Sequence, residues 1–378
     1  MLNSAIIRRM SKRLRSMHRG LLAITLALVG LGLMMQFSAS GGDVRVFALP
    51  QAVRALLGLG LMALLVVMPP TQLFRVSYVV YAACLGLLVM VALVGVMGLG
   101  AQRWVGIGFF NLQPSELMKI GIILALARYF QGVQVTAQAR HYLLLVVPAA
   151  LTLVPVALIL KQPNLGTATI VSVIAFAMCF MAGIRWWYFA GALGAVMGAV
   201  PVAYHFLHDY QKQRVLTFLD PGSDPLGAGY NIIQSKIAIG SGGFFGKGLL
   251  NGSQSQLDFL PEKQTDFIFT MMAEELGFVG AVVLLVLYGL LIAFAMRLAV
   301  HARSIYGRLL AAGVAALLFI HIFINMAMVM GLIPVVGVPL PFLSYGGSFL
   351  LTTLMACGLL QHVYIHRDHS IARRGRTL

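Results

Sequence analysis

The sequence predicts an all-α polytopic membrane protein of about ten transmembrane helices, with one large extracytoplasmic loop between helices 7 and 8. Three observations predict it. Hydrophobic residues make up 60% of the chain and charged residues only 10%, for a mean hydropathy of +0.91. The apolar stretches are continuous rather than alternating, which suits helices and not a β-barrel. They also reach the ~20 residues that a helix needs to cross ~30 Å of hydrocarbon.

Residues 1–19 are basic, with Ile6, Ile7, Met10, Leu14 and Met17 at helical spacing among Arg and Lys. The pattern suits an interfacial helix on an anionic inner leaflet as well as a disordered basic tail. The spans are expected near 20–38, 51–68, 75–99, 114–131, 142–160, 166–183, 186–206, 267–296, 308–331 and 348–365. The first resembles a secretory signal that ends in "SAS" (38–40), but its apolar stretch is too long for one and nine more spans follow. The eighth is long for one crossing, so it is expected to tilt or to extend beyond the bilayer. Residues 20–366 then form a single membrane domain, and 367–378 a basic tail.

The net charge of +16 invites a nucleic-acid reading, but its distribution opposes one. With a cytoplasmic N-terminus, most Lys and Arg fall on the inside. Asp43, Asp209, Asp220, Asp224, Asp258, Glu262 and Asp266 fall outside. The basic bias orients the chain with both termini cytoplasmic. Cys84, Cys179 and Cys357 all lie within predicted spans and form no disulfide framework or metal spacing.

The inside loops are short, so chemistry is expected on the outer face. Two outer segments are long, 99–113 and about 207–265; a loop of the second length is more often functional than idle. The last outer loop, "GLIPVVGVPLPFLSYGG", is still apolar, and such backbone is tolerated near membrane depth only when packed in protein or lining a cavity.

Ionisable residues within spans are costly and point to function. Glu116 and Lys119 are three apart on one helical face; alone, they read equally as an ion pair that fixes helix packing. Asp258, Glu262, Asp266, Glu274 and Glu275 crowd the start of the eighth span. Thr265 or Asp266 could be an N-cap, whereas Glu274 and Glu275 lie too deep for that. Such a cluster suits a divalent cation, proton passage, or a base acting on a hydroxyl. His321 and Asn325, deep in the ninth span, read as glue between helices. Arg103 beside Trp104 suits a phosphate at headgroup level, although Trp is also a common interface anchor. The glycine-rich "IGSGGFFGKGLLNG" (239–252) does not fit the Walker pattern and reads as close-packed backbone.

At these residues the chain resembles the SEDS family (shape, elongation, division and sporulation), and its elongation members more than its division members. The resemblance spans the whole membrane region. It rests on "GAQRW" (100–104), "QPSE" (113–116) with Lys119, "KQPNLGTA" (161–168), "FLDP" (218–221), "DPLGAGYNIIQSKIAIGSGGFFGKG" (224–248), "SQSQLDFLPEKQTDFIFTMMAEELG" (253–277) and "GVPLPFLSYGGS" (337–348). It implies a peptidoglycan glycosyltransferase that polymerises lipid II outside the membrane. A class B penicillin-binding protein would be its transpeptidase partner, among other membrane proteins of an elongation complex. The family's catalytic Asp maps onto Asp266, and its membrane Glu and Lys onto Glu116 and Lys119. The usual "QPD" is Gln162-Pro163-Asn164 here, which puts in doubt any role needing an acid at that place.

On this reading a polyprenyl tail takes a lipid-facing groove and the diphosphate takes cations at headgroup depth. The candidates for contacts to diphosphate and sugars are Arg103, Trp104, Glu116, Lys119, Asn164, Arg214, Gln234, Ser235, Lys236, Glu262 and Ser344, with Asp266 as base. A divalent cation, Mg or Mn, could assist the diphosphate, or Lys and Arg could replace it. A flippase for the same lipid and a scaffold for the transpeptidase are the rival readings.

Overall fold

The computed structural model describes residues 10–94, 96–98, 101–107, 110–133, 143–206, 212, 216–218, 220, 228–257, 259–260 and 262–370. It is a helical bundle. The helices are α1 (Arg19–Ala39), α2 (Leu49–Val67), α3 (Pro70–Val94), α4 (Pro114–Gly132), α5 (Leu143–Lys161), α6 (Leu165–Met181), α7 (Trp186–Phe206), α8 (Ala228–Ser241), α9 (Ser253–Gln256), α10 (Ile268–His301), α11 (Ile305–Val329) and α12 (Gly347–Ile365). A helix therefore lies at each expected span, and six helical segments are long and apolar enough to cross a membrane by length and composition. The chain is a multi-pass membrane protein.

The bundle has a centre and a rim. The most apolar windows of α11 and α12 are each 78% buried, against 22% for α10, so α11 and α12 form the core and α10 turns much of its surface outward. In α4 every residue from Met118 to Ala127 is buried, which adds it to the centre. The rim exposes apolar side chains such as Leu56, Val79 and Leu93, the inside-out pattern that lipid permits. The polar residues Glu116, Lys119, His321, Asn325, Thr352 and Gln361 lie instead on the central helices and are buried there.

Three features depart from the sequence expectation. The 99–113 segment contributes to a small antiparallel sheet in the order β1 (Val96–Gly98), β2 (Ala101–Ile107), β3 (Phe110–Leu112). The 207–265 segment holds helix α8, which packs on α10 and α11. Thirdly, α10 is broken, which the sequence reading did not foresee. Gly277 has φ 65° and ψ −163°, conformations that only glycine adopts freely, so residues 268–276 and 278–301 are two helices meeting at a kink. The glycine-rich segment packs into that kink as backbone. A Cβ on Gly277 would lie 2.2 Å from Gly246 N, and one on Gly246 would lie 2.1 Å from Glu275 O. Lys247 N and Gly248 N donate to Glu274 O and Glu275 O, while Phe278 N and Val279 N donate to Gly243 O and Phe244 O.

At the N-terminus residues 10–15 are helical, with Met10 and Leu14 exposed; Ile6, Ile7 and the tail beyond residue 370 lie outside the described residues. The three cysteines are free thiols.

Candidate active site

A cavity of about 510 Å³ opens among β2, α4, α6, α11, the turn before α10 and the Pro-rich segment before α12. Its lining includes Arg103, Trp104, Glu116, Lys119, Asn164, Glu262 and Asp266. Residues far apart in the sequence thus share one space. Among the other sequence candidates, Gln234, Ser235, Lys236 and Ser344 are not part of this lining. Ser235 ties α8 to its neighbours, 2.7 Å from Thr270 Oγ1 and donating to Val329 O at 2.7 Å. Lys236 lies along Gly331. Arg214 lies outside the described residues.

Asp266 sits in the turn ahead of α10, and neither it nor Thr265 caps that helix. The N-cap is Phe267, with no side-chain cap bond. The turn is held from elsewhere through three consecutive carbonyls. Gln264 O accepts from Tyr345 N at 2.8 Å and from Gln36 Nε2 at 2.9 Å. Thr265 O accepts from Ser344 Oγ at 2.6 Å. Asp266 O accepts from Asn325 Nδ2 at 2.9 Å, and the same amide donates to Val338 O at 2.7 Å. Ser344 therefore supports the site from behind. With the backbone fixed, the Asp266 carboxylate lies against Gly337, where a Cβ would come within 3.2 Å of Oδ2. Glu262, exposed at the rim, accepts from Thr265 Oγ1 at 2.8 Å.

Below the rim lies a buried cationic group. Lys119 Nζ is 2.7 Å from Glu116 Oε2, an ion pair between successive turns of α4 with both side chains at most 5% exposed. Lys119 Nζ also lies 2.8 Å from His321 Nε2 on α11. The Phe349 ring closes the other side, with its centroid 5.3 Å from Nζ. His321 is the site residue that sequence reading passed over as helix glue; its position one helix away in space is not written in local spacing.

Arg103 donates from Nε to Gln162 O at 3.1 Å and from a terminal nitrogen to Pro163 O at 2.5 Å, so it binds β2 to the loop before α6. Asn164 is the N-cap of α6, with Oδ1 accepting from Thr167 N at 3.2 Å. Asparagine caps a helix about as well as aspartate. This explains how the chain keeps the local fold with the neutral residue at the place where the family resemblance leads one to expect an acid.

The deeper acids have different employment. Glu274 is fully buried and pairs with Lys247 Nζ at 2.8 Å, while accepting from Gln254 N and Ser255 N at 2.9 and 3.1 Å. Glu275 accepts from Ser38 Oγ at 2.7 Å and Gln256 Nε2 at 3.3 Å. Neither lines the cavity. They bind the 247–256 segment to α1 and α10. Among the described residues no group of three or more His, Cys, Asp or Glu is arranged to hold a metal ion. Positive charge in the cavity comes from Lys119 and Arg103.

The family model FtsW/RodA/SpoVE, described as "cell cycle protein", matches residues 19–369. The chain belongs to this family. Among its FtsW/RodA/SpoVE relatives is the peptidoglycan glycosyltransferase MrdB of Escherichia coli K12, 42% identical over 92% of this chain and 93% of that one. Stage V sporulation protein E of Bacillus subtilis is 38% identical over 91% and 95%. Two solved structures share the fold. One, from work on a peptidoglycan synthase complex that coordinates polymerization and crosslinking, has a TM-score of 0.81 at 39% identity over 93% of this chain and 98% of that one. The rod-shape-determining protein RodA of Thermus thermophilus has a TM-score of 0.71 at 34% identity over the same shares. The chain is thus RodA-like within the family.

Proposed function

We propose that this chain is a peptidoglycan glycosyltransferase that polymerises lipid II at the outer face of the cytoplasmic membrane during cell elongation. The observation that carries the reading is a cavity lined by both Asp266 and Lys119. Glycan polymerisation needs both ends of that arrangement. An acceptor sugar hydroxyl attacks the anomeric carbon of the donor, forming a C–O bond and breaking the bond to the diphosphate with inversion. The hydroxyl proton goes to the Asp266 carboxylate, and the charge developing on the diphosphate is met by Lys119, with Arg103 at the cavity rim. Transition states at anomeric carbons are oxocarbenium-like, so the hydroxyl acidifies late and an ordinary carboxylate suffices as base. The exposed Glu262 adjoins the base through Thr265 and serves to position the acceptor. Asn164 offers an amide to the same cavity.

The basic bias of the termini supports an orientation with both in the cytoplasm and the cavity outside. A class B penicillin-binding protein, as transpeptidase, is the partner that would crosslink the product.

The test is polymerisation of purified lipid II by the purified chain with such a transpeptidase, wild type against Asp266→Asn, with glycan products separated on a gel. Polymer from wild type and none from a folded, partner-binding Asp266→Asn supports the reading. Equal polymer from both removes Asp266 from the chemistry. Absence of polymer from both returns the chain to the flippase reading.

A further inference from the structure

The Glu116–Lys119 pair arises within one helix, but its third member comes from α11. His321 Nε2 lies 2.8 Å from Lys119 Nζ, and His321 Nδ1 lies 2.8 Å from Leu317 O. A backbone carbonyl only accepts, so the proton of a neutral ring is on Nδ1 and Nε2 presents a bare lone pair. An ammonium has only donors, so the two contacts agree on one tautomer. We propose that His321 is a positioning residue whose Nε2 accepts from Lys119 and aims that ammonium at an anionic group in the cavity; the role of the anion rests on the glycosyltransferase reading above.

The choice of a neutral acceptor has a physical reason. Lys119 is 1% exposed, so its N–H groups must find partners inside the protein. Glu116 already balances its charge. A second carboxylate in place of His321 would leave the group net negative and repel a diphosphate. An apolar residue would leave a buried N–H unmet. An imidazole lone pair satisfies the donor and adds no charge. Two of the three N–H groups are then committed to Glu116 and His321, which leaves one for a ligand. Phe349, whose centroid is 5.0 Å from that of His321, keeps both side chains in place.

The arrangement is sensitive to protonation. An imidazolium would set an N–H against the ammonium and add a second positive charge, so the contact requires the neutral ring. The groups that face His321 around the cavity are Glu116 and Lys119 from α4, Glu262 and Asp266 from the turn before α10, Arg103 from β2 and Tyr345 ahead of α12. The packed faces of α6 and α12 contribute no titratable group to the cavity, only Asn164 from the cap, Thr167, Ile170, Ser348 and Phe349.

The experiment compares wild type, His321→Gln and His321→Leu in lipid II polymerisation across substrate concentration. Thermal unfolding of His321→Leu, Lys119→Met and the double variant runs beside it. His321→Leu is expected to lose about 10- to 100-fold in kcat/KM, as befits one hydrogen bond to a charged group. His321→Gln, whose amide oxygen can accept, is expected to lose less than about tenfold, a partial rescue relative to His321→Leu. In unfolding, Lys119→Met should cancel much of the Tm loss caused by His321→Leu, because the unmet donor is gone. A loss in His321→Gln as large as that in His321→Leu, or additive Tm losses in the double variant, would overturn the proposal. Should wild type make no polymer, the glycosyltransferase reading falls, while the unfolding cycle still decides whether His321 holds Lys119.

Discussion

Replacing Asn325 by aspartate exchanges one nitrogen for an oxygen and keeps the shape of the side chain. The consequence at the site should still be large. Asn325 is fully buried, and its amide nitrogen donates to Asp266 O and Val338 O at 2.9 and 2.7 Å. In Asn325→Asp an ionised carboxylate would set acceptor oxygen against both carbonyls. Each buried group left without its partner costs about 1–3 kcal/mol, so the two together cost about 2–6 kcal/mol. Even the lower figure, if it falls on the pose of the Asp266 turn, lowers the active population about thirtyfold at ~1.36 kcal/mol per tenfold. The assay is the initial rate of lipid II polymerisation at saturating substrate, read beside thermal unfolding in the same detergent. A drop of at least about thirtyfold, with a lowered Tm, is expected. Because a protonated acid offers one O–H, part of the loss should return as pH is lowered. Asn325→Asp with a rate within about twofold of wild type and an unchanged Tm would refute the idea that this amide holds the turn.

Two further outcomes concern the scaffold around the site. Gly277→Ala places a Cβ 2.2 Å from Gly246 N in a conformation that alanine resists, and its neighbours are backbone that cannot swing aside; a loss of at least about 1–3 kcal/mol is expected, read as a fall in Tm. Glu274→Gln removes the charge opposite Lys247 from a fully buried position, and breaking such a pair costs about 3–5 kcal/mol when a charge is left uncompensated. Because Lys247 is 26% exposed and can turn to solvent, the smaller figure applies, and the Tm should fall with KM for lipid II unchanged.

What the sequence made legible follows from which contacts are local. Glu116 and Lys119 meet because they are three apart on a helix, and the apolar runs mark their helices by length alone. His321 reaches Lys119 across 202 positions, and Asn325 reaches Asp266 O across 59; no periodicity encodes either meeting. The acids of 258–275 look like one cluster because they are neighbours in sequence. Two turns of helix carry Glu274 and Glu275 away from Asp266, towards α1 and the 247–256 segment, so one cluster becomes two with different work. The glycines of 239–252 announced close backbone packing, but not that its partner is a break in α10. The sheet at 96–112 was hidden because β1 and β3 have only three residues each, and the seven of β2, "AQRWVGI", do not alternate between apolar and polar.

The three carbonyls that fix the Asp266 turn are answered by Gln36, Ser344, Tyr345 and Asn325. Gln36 lies in α1, the first of the described spans to be synthesised, and Ser344 and Tyr345 lie just ahead of α12, the last. On the ribosome the turn therefore emerges long before its final restraints exist. Until α12 enters the bilayer and draws its preceding segment into place, Gln264 O and Thr265 O lack the partners that α12's approach delivers. The turn gains these restraints only when the segment ahead of α12 is in place, so the Asp266 turn and the bundle complete their folding together.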